Sequence, residues 1–227
     1  ERIVTERDHC TACGACVQAC YAEARDLVGR EVTVAEVMDE IERDVVFYDE
    51  SGGGVTFSGG EPLAQPDFLR ELLRTCKDQS LHTTLDTCGF APWEVLDSVR
   101  KDVDLFLYDL KLMDDARHQA FTGVSNVCIL ENVQHLSREG HHIVLRVPII
   151  LGINDDEENI RAIGTFAADL PSLARIDLLP YHRIGCDKYR RLGKFCPMPE
   201  TNPPSEARMG KIAQALETFG LRVNVNH

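Results

Sequence analysis

Strand-like and helix-like segments alternate along most of this chain, and that pattern constrains the fold more than any other feature. From Val55 onward, short runs rich in β-branched and aromatic residues are separated by helical patterns. The predicted strands are 55–57, 82–85, 104–108, 143–147, 176–179 and 221–225. Because parallel strands need a crossover between them, the repeated βα unit predicts a parallel α/β sheet, as an open or a closed barrel.

A capping box opens the helix that precedes the first strand. Thr33 and Glu36 have the required spacing, and the apolar pattern predicts a helix from Val34 to about Phe47. Pro66 suits the first position of the next helix. Further helices are predicted from Pro92 and over 114–121, 126–138, 155–170 and 205–219.

Four cysteines near the start of the chain have the spacing Cys10-x2-Cys13-x2-Cys16-x3-Cys20. This is the spacing of a bacterial iron–sulfur loop, and four thiolates in one tight loop suit a [4Fe–4S] cubane better than zinc, which prefers separated pairs. In two-cluster ferredoxins the fourth cysteine ligates the other cluster, so two roles stay open for Cys20. We predict that all four cysteines bind iron.

Composition narrows the classes of protein to which this chain could belong. The 227 residues are 44% hydrophobic, enough for one large core. A formal charge of -13 with no basic patch argues against nucleic acid and anionic membranes, and the apolar runs are too short to span a bilayer. Nine cysteines are an odd number, and four of them have metal-ligand spacing, so we expect a reducing cytoplasm rather than a disulfide framework.

Polar side chains follow the predicted strands where each strand ends. They are Ser58 to Glu61, Asp86 with Thr87, Asp109 with Lys111, Arg146, and Tyr181 with His182. In parallel α/β proteins the active site forms at these carboxyl ends, and unpaired charges are costly to bury elsewhere. Together these residues supply carboxylates, two cations and an imidazole. The set predicts a pocket for a zwitterionic ligand that carries an amine and a carboxylate.

Glycines bracket the first strand, as Gly52-Gly53-Gly54 before it and Gly59-Gly60 after it. Glycines expose backbone amides and carbonyls to an approaching ligand. Taken alone, a hairpin turn plus a tight loop would explain them equally well. The upstream cysteine run favours a ligand site.

Three segments resemble the activating enzymes of glycyl radical enzymes, which belong to the radical S-adenosylmethionine (SAM) superfamily. They are Gly52-Gly53-Gly54-Val55-Thr56-Phe57-Ser58-Gly59-Gly60-Glu61-Pro62, Tyr108-Asp109-Leu110-Lys111, and Leu179-Pro180-Tyr181-His182 with the following Lys188-Tyr189. The cysteine run resembles the ferredoxin-like insert of one subgroup. The resemblance implies two domains: a remnant of that 4Fe–4S insert in residues 1–30, and a partial (β/α)6 barrel without its first strand in residues 31–227.

The resemblance also implies a chemistry and a partner. A [4Fe–4S] cluster would cleave SAM reductively, and the resulting radical would take hydrogen from a backbone glycine of a partner glycyl radical enzyme. A flavodoxin or ferredoxin would donate the electron. By the same resemblance, the methionyl amine would be bound by Ser58, Gly59, Gly60 and Glu61. The rest of the methionyl group would be held by Asp109, Lys111 and His182, with Arg146 facing the same pocket. An adjacent cation site would be formed by Asp86 and Thr87.

One departure separates this sequence from the family pattern. The family holds its catalytic cluster with Cys-x3-Cys-x2-Cys, but Cys16-x3-Cys20 is followed by Glu23 at the third position. We therefore expect an N-terminally truncated chain that is inactive alone. Two alternatives stay open: a radical SAM enzyme acting on a small molecule, which the glycines before Val55 argue against, and a non-catalytic protein that binds a cluster or a partner.

Overall fold

The structure is a computed structural model that describes residues 6–182, Tyr189, 194–195 and 201–225. In this part of the chain six strands form one sheet, in which every neighbouring pair is parallel and the spatial order follows the sequence. The strands are β1 (Gly54–Phe57), β2 (His82–Thr87), β3 (Leu105–Asp109), β4 (Ile143–Ile149), β5 (Leu173–Pro180) and β6 (Val223–Val225). The prediction of a parallel α/β sheet is confirmed.

Helices occupy every described connection between these strands. The helices are α1 (Ala15–Gln18), α2 (Val34–Glu42), α3 (Val45–Ser51), α4 (Pro66–Asp78), α5 (Trp93–Val99), α6 (Asp115–Thr122), α7 (Val127–Arg138), α8 (Glu157–Ala168) and α9 (Glu206–Glu217). No helix in the described ranges is long and apolar enough to cross a membrane. Lys188 lies outside the described residues.

The capping box that opens α2 is present. The Thr33 hydroxyl accepts a hydrogen bond from the Glu36 amide at 3.3 Å, and the Glu36 carboxylate accepts one from the Thr33 amide at 2.7 Å. The single helix predicted to Phe47 is wrong, because the backbone leaves the helical path at Asp44 and α3 begins at Val45. The break allows Val45 and Tyr48 to pack on the cluster that α2 forms with α4.

One face of the sheet is buried against helices, whereas residues on the other face are only partly buried. On β3, Phe106 and Tyr108 are fully buried, and the Tyr108 hydroxyl donates to the Ile129 carbonyl of α7 at 2.7 Å, so this face packs against helices. The alternate residues of β3 are only partly buried. We call the face that they occupy the inner face.

Strand register shows which residues share the inner face, because paired residues of parallel strands point to the same side. Three rows cross it: Thr56, Thr84 and Leu105; Asp86, Leu107, Val144 and Arg175; and Asp109, Arg146, Asp177 and Asn224. The third row lies nearest the carboxyl ends of the strands. Charged side chains are therefore concentrated at that end.

Candidate functional site

A continuous chain of polar contacts crosses the carboxyl ends of β1 to β4. We call it the polar row: Ser58, Asp86, Arg146, Asp109 and Lys111. The Ser58 hydroxyl donates to Asp86 at 2.9 Å, and Arg146 donates to both aspartates, with distances of 2.8 and 3.0 Å to Asp109. Lys111 Nζ lies 3.7 Å from the other Asp109 oxygen. The predicted convergence of these five side chains is present in the structure.

Arg146 is the electrostatic centre of the polar row. Burial opposes its charge, but the attraction of Asp109 and Asp86 outweighs that penalty and raises the pKa of the guanidinium. The Lys111 side chain is 39% exposed, about twice the exposure of the Arg146 side chain at 20%. An anionic group of a ligand can therefore reach Lys111 with less rearrangement than Arg146.

Gly59 and Gly60 leave open space beside the polar row. Gly59 has a φ of +130°, which favours glycine, whereas Gly60 has no such requirement. A Cβ added at either position would meet no atom within 4 Å. Packing within the protein therefore does not require glycine at position 60.

The Glu61 carboxylate is held by groups at the end of β2 and by the backbone that follows it. Its carboxylate accepts hydrogen bonds from the Thr87 hydroxyl at 2.6 Å, the Cys88 amide at 2.9 Å and the Leu63 amide at 3.2 Å. The Cys88 thiol donates to the same carboxylate at 2.9 Å. These contacts fasten the Gly59–Gly60 segment to the end of β2.

Burial and the neighbouring carboxylate keep the Cys88 thiol protonated. Desolvation, followed by the hydrogen bond to Glu61, raises the pKa of Cys88 to about 11. The turn that carries it is tightly packed, since a Cβ on Gly89 would lie 1.7 Å from the Tyr108 hydroxyl. No site role was expected for Cys88 from the sequence. Its contact with Glu61 had no signal in the sequence spacing.

Two buried asparagines position the backbone around Lys111. Asn154 donates to the Lys111 carbonyl at 2.9 Å and to the Pro148 carbonyl at 2.6 Å, and Asn159 accepts from the Met113 amide at 3.0 Å. Asn159 also donates to the Asn154 carbonyl at 2.9 Å. The loops after β3 and β4 are thereby joined. Sequence reasoning missed both residues.

The remaining predicted residues are less organised. His182 follows β5 with an exposed side chain that makes no hydrogen bond or ion pair with the polar row. Cys10, Cys13 and Cys16 are exposed free thiols, and Cys20 is partly exposed. Across the described residues, no three His, Cys, Asp or Glu side chains are gathered closely enough to hold a metal ion. Assignment of these cysteines and of His182 stays a prediction.

The geometry agrees with comparisons to known proteins. The sequence profile of the radical SAM superfamily matches residues 10–162. The chain is 42% identical over 205 residues to the trans-4-hydroxy-L-proline dehydratase activating enzyme of Clostridioides difficile, covering 89% of this chain and 68% of that protein. It is 36% identical to the pyruvate formate-lyase 1-activating enzyme of Escherichia coli, covering 92% of this chain and 87% of that one.

A solved structure shows the same relationship. A domain of the pyruvate-formate lyase-activating enzyme from Bacteroides vulgatus superposes with a TM-score of 0.65 at 38% identity, covering 77% of this chain and 99% of that one. Some relatives are longer: the chain spans 65% of an isethionate sulfite-lyase activating enzyme from Oleidesulfovibrio alaskensis. Proteins of this superfamily use a [4Fe–4S] cluster and SAM. The chain belongs to the radical SAM superfamily, in the family of activating enzymes for glycyl radical enzymes.

Proposed function

We propose that this protein activates a partner glycyl radical enzyme by using SAM to generate a radical on a backbone glycine of that partner. The observation that carries the proposal is the polar row next to Gly59 and Gly60. It combines open backbone, carboxylates and two cations at one edge of the sheet, which matches the amine and carboxylate of the methionyl group of SAM. The activating-enzyme relatives support the same reaction.

The cysteine run fits an iron–sulfur cluster by its chemistry. Its thiols are unpaired and accessible, and Ala12 and Gly14 have positive φ values that turn the backbone sharply between them. Backbone hydrogen bonding at Ala15 lowers the pKa of the Cys13 thiol and favours the thiolate that iron requires. We assign Cys10, Cys13, Cys16 and Cys20 to this cluster. The cluster of this run would relay electrons, and the cluster that cleaves SAM would be the one that the family holds with its Cys-x3-Cys-x2-Cys triplet.

The residues of this chain would bind and orient SAM. The Gly59–Gly60 backbone would accept hydrogen bonds from the amine, and Lys111 would bind the carboxylate. Arg146 would keep Asp86 and Asp109 fixed below the ligand, with Thr87 holding Glu61 in place. His182 would complete the site from the end of β5. These roles follow from the positions of the side chains and from the resemblance.

The electron donor and compartment are further parts of the proposal. A flavodoxin or ferredoxin would deliver the electron, because both carry single electrons at low potential. The described cysteines are all free thiols, which supports a reducing cytoplasm.

Binding of SAM gives the first test. Calorimetry should show that Lys111→Ala weakens SAM binding by about 1–3 kcal/mol, the range for hydrogen bonds to charged groups. The matched control is Lys211→Ala on α9, outside the polar row, which should leave affinity unchanged. Equal affinity of the parent and Lys111→Ala proteins would place the pocket elsewhere.

Turnover gives the second test. Residues 1–227 alone should not release 5′-deoxyadenosine after reduction with dithionite, because the sequence contains no Cys-x3-Cys-x2-Cys triplet. A version extended at Glu1 by a segment bearing that triplet should release it and create a glycyl radical signal in a partner enzyme by electron paramagnetic resonance. Turnover of a small molecule without a protein radical would support the small-molecule alternative instead.

A further inference from the structure

A second ion pair lies on the inner face: Asp177 shares the row of Asp109 and Arg146, and Arg175 lies one row below it, in the row of Asp86. Arg175 Nε donates to Asp177 Oδ1 at 2.7 Å, and Arg175 Nη2 donates to Asp177 Oδ2 at 3.1 Å. Asp177 pairs in register with Arg146, and Arg175 pairs with Val144. Two residues along a strand correspond to about 6.6 Å, so the Arg175 backbone lies roughly that far below the row of Arg146.

The ion pair is not needed to neutralise the polar row. Arg146 already contacts Asp86 and Asp109, and none of its hydrogen bonds involves Asp177. Asp177 is 5% exposed, and burying such a pair contributes little stability compared with an apolar pair of similar size. A role in binding gives a better account of two charges at this position.

A break in strand pairing directs Arg175 to the inner face. Ile143 pairs with Leu173, but the next residue, Val144, pairs with Arg175, so Ala174 has no partner in this ladder. A bulge of this kind re-aims the following side chain and is frequent beside active sites. Here it places Arg175 in the same row as Leu107 and Val144.

The donor groups around this row match a peptide backbone. Asp177 occupies one edge of the guanidinium and leaves the remaining N–H donors of Arg175 available; the Arg175 side chain is 34% exposed. Asn224, the register partner of Asp177 on β6, is half-buried with no hydrogen bond to its side-chain amide among the described residues. Between these groups and Asp86 on β2, the row is apolar, with Leu107 partly exposed and Val144 buried.

Charge balance favours a neutral acceptor over an anion. The charge of Arg175 is already matched by Asp177, and Asp109 lies two strands away in the same row as Asp177. An anion entering here would meet no unbalanced positive charge. A peptide carbonyl accepts hydrogen bonds without adding charge, and a segment without a bulky side chain can lie against the partly exposed Leu107.

We propose that Arg175, held by Asp177 and aided by Asn224, binds a backbone carbonyl of the glycine-bearing segment of the partner enzyme. This inference rests on the proposed function and assigns the substrate segment to the row below SAM. Arg175 and Asn224 contact the substrate, and Asp177 is a positioning residue that fixes the orientation of the guanidinium.

The test uses residues 1–227 and a blocked seven-residue peptide with glycine at its centre and alanine elsewhere. Nuclear magnetic resonance of 15N-labelled protein should show the Arg175 Nε–H signal shifting on titration, with the signal assigned by its loss in Arg175→Lys. That variant keeps the positive charge but loses the planar guanidinium with its paired N–H donors. Its peptide dissociation constant should therefore rise about tenfold, which corresponds to about 1.4 kcal/mol of binding free energy. Asn224→Ala and Asp177→Asn should each weaken peptide binding at least threefold.

The matched control is Arg161→Lys on the outer helix α8, which should leave peptide binding unchanged. SAM affinity should stay within twofold of the parent in Arg175→Lys, and thermal unfolding of each variant checks its fold. No peptide binding by the parent, or equal binding by a folded Arg175→Lys protein, would overturn the inference. If the parent protein bound the peptide through Arg175 but failed to bind SAM, the inference would stand and the proposed function would be contradicted.

Discussion

Asp109 and Arg146 are register partners on β3 and β4, and two hydrogen bonds to one Asp109 oxygen join their side chains. Their backbones are also joined, since the Leu110 amide donates to the Arg146 carbonyl at 2.9 Å. Arg146 reaches past β3 to Asp86 on β2. One guanidinium thus fixes the relative positions of two carboxylates that come from different strands.

Replacing Arg146 should destabilise the protein. Arg146→Met leaves Asp86 without its cation and Asp109 with only the more distant Lys111, and we expect the free energy of unfolding to fall by about 2 kcal/mol. This is less than the 3–5 kcal/mol typical of a fully buried pair, because these side chains are about one-fifth exposed. Denaturant unfolding measures the loss. Asp109→Asn combined with Arg146→Met should cost less than the sum of the single changes, and strict additivity would contradict the coupling.

Gly60 and Gly54 should respond to alanine in opposite ways. Gly60→Ala should keep the free energy of unfolding within about 0.5 kcal/mol of the parent, because the new methyl group meets no protein atom. Its SAM affinity should nevertheless fall at least tenfold, since the methyl group enters the ligand space.

Gly54→Ala provides the matched comparison. Its Cβ would lie 2.1 Å from the His82 carbonyl oxygen, so the variant should lose about 1–3 kcal/mol of stability. Thermal unfolding and calorimetry separate the two effects. Normal SAM binding by Gly60→Ala would show that glycine at position 60 has no role in ligand approach.

The amino-acid sequence predicts the sheet and the polar row well, for a physical reason. Parallel strands bring their carboxyl ends to one edge, so Asp86, Asp109 and Arg146 meet once each strand is recognised. Side-chain partners across that edge depend on register and turn geometry. The contact of Glu61 with Cys88 and the exposure of Arg175 after the bulge at Ala174 therefore had no local sequence signal.

The break at Asp44 illustrates the same limit. Apolar periodicity continues through the break because both α2 and α3 pack on one cluster, so the pattern alone predicts one helix. The asparagines Asn154 and Asn159 were missed because polar residues in a loop and in a helix carry no sign that they will be buried. Only the folded backbone shows which carbonyls their amides reach.

Cys88 should make stability depend on alkaline pH. Its folded-state pKa of about 11 lies above the unfolded value near 9, so the folded protein holds a proton that the unfolded chain releases in between. Stability from this group is fully present below pH 9 and is lost as the pH rises toward 11. Denaturant unfolding of the parent and of Cys88→Ala over this pH range measures how much Cys88 contributes to the free energy of unfolding.

Glu61→Gln should lower the pH range over which the folded protein loses the proton of the Cys88 thiol. Burial of the thiol remains, but the carboxylate that disfavours the thiolate is removed, so the pKa of Cys88 should fall toward its ordinary value. Alkylation of Cys88 at increasing pH, followed by mass spectrometry, reports the change. Identical pH profiles in the parent and Glu61→Gln proteins would show that Glu61 does not influence the thiol.

Asn154→Asp should loosen the loop that carries Lys111. The change removes two amide hydrogen bonds and places an anion beside the carbonyls of Lys111 and Pro148, so we expect a loss of about 2–4 kcal/mol near neutral pH. Lowering the pH should recover part of it, because a protonated carboxyl can donate one hydrogen bond. Gln134→Glu on α7 is the control, and its stability should change little. A stable Asn154→Asp protein with parental SAM affinity would contradict the positioning role.

The cysteine run should bind iron through Cys10, Cys13 and Cys16. The accessible thiols lie in one loop with sharp turns at Ala12 and Gly14, and backbone hydrogen bonding at Ala15 lowers the pKa of Cys13, which favours its thiolate. Anaerobic reconstitution of residues 1–227 should give a brown protein containing iron and acid-labile sulfide, and serine at all three positions should abolish both. Cys128→Ser, on α7, should retain the parental iron content because it lies outside the run. Stoichiometric zinc without a chromophore would identify the run as a zinc site, since zinc needs thiolates but no inorganic sulfide.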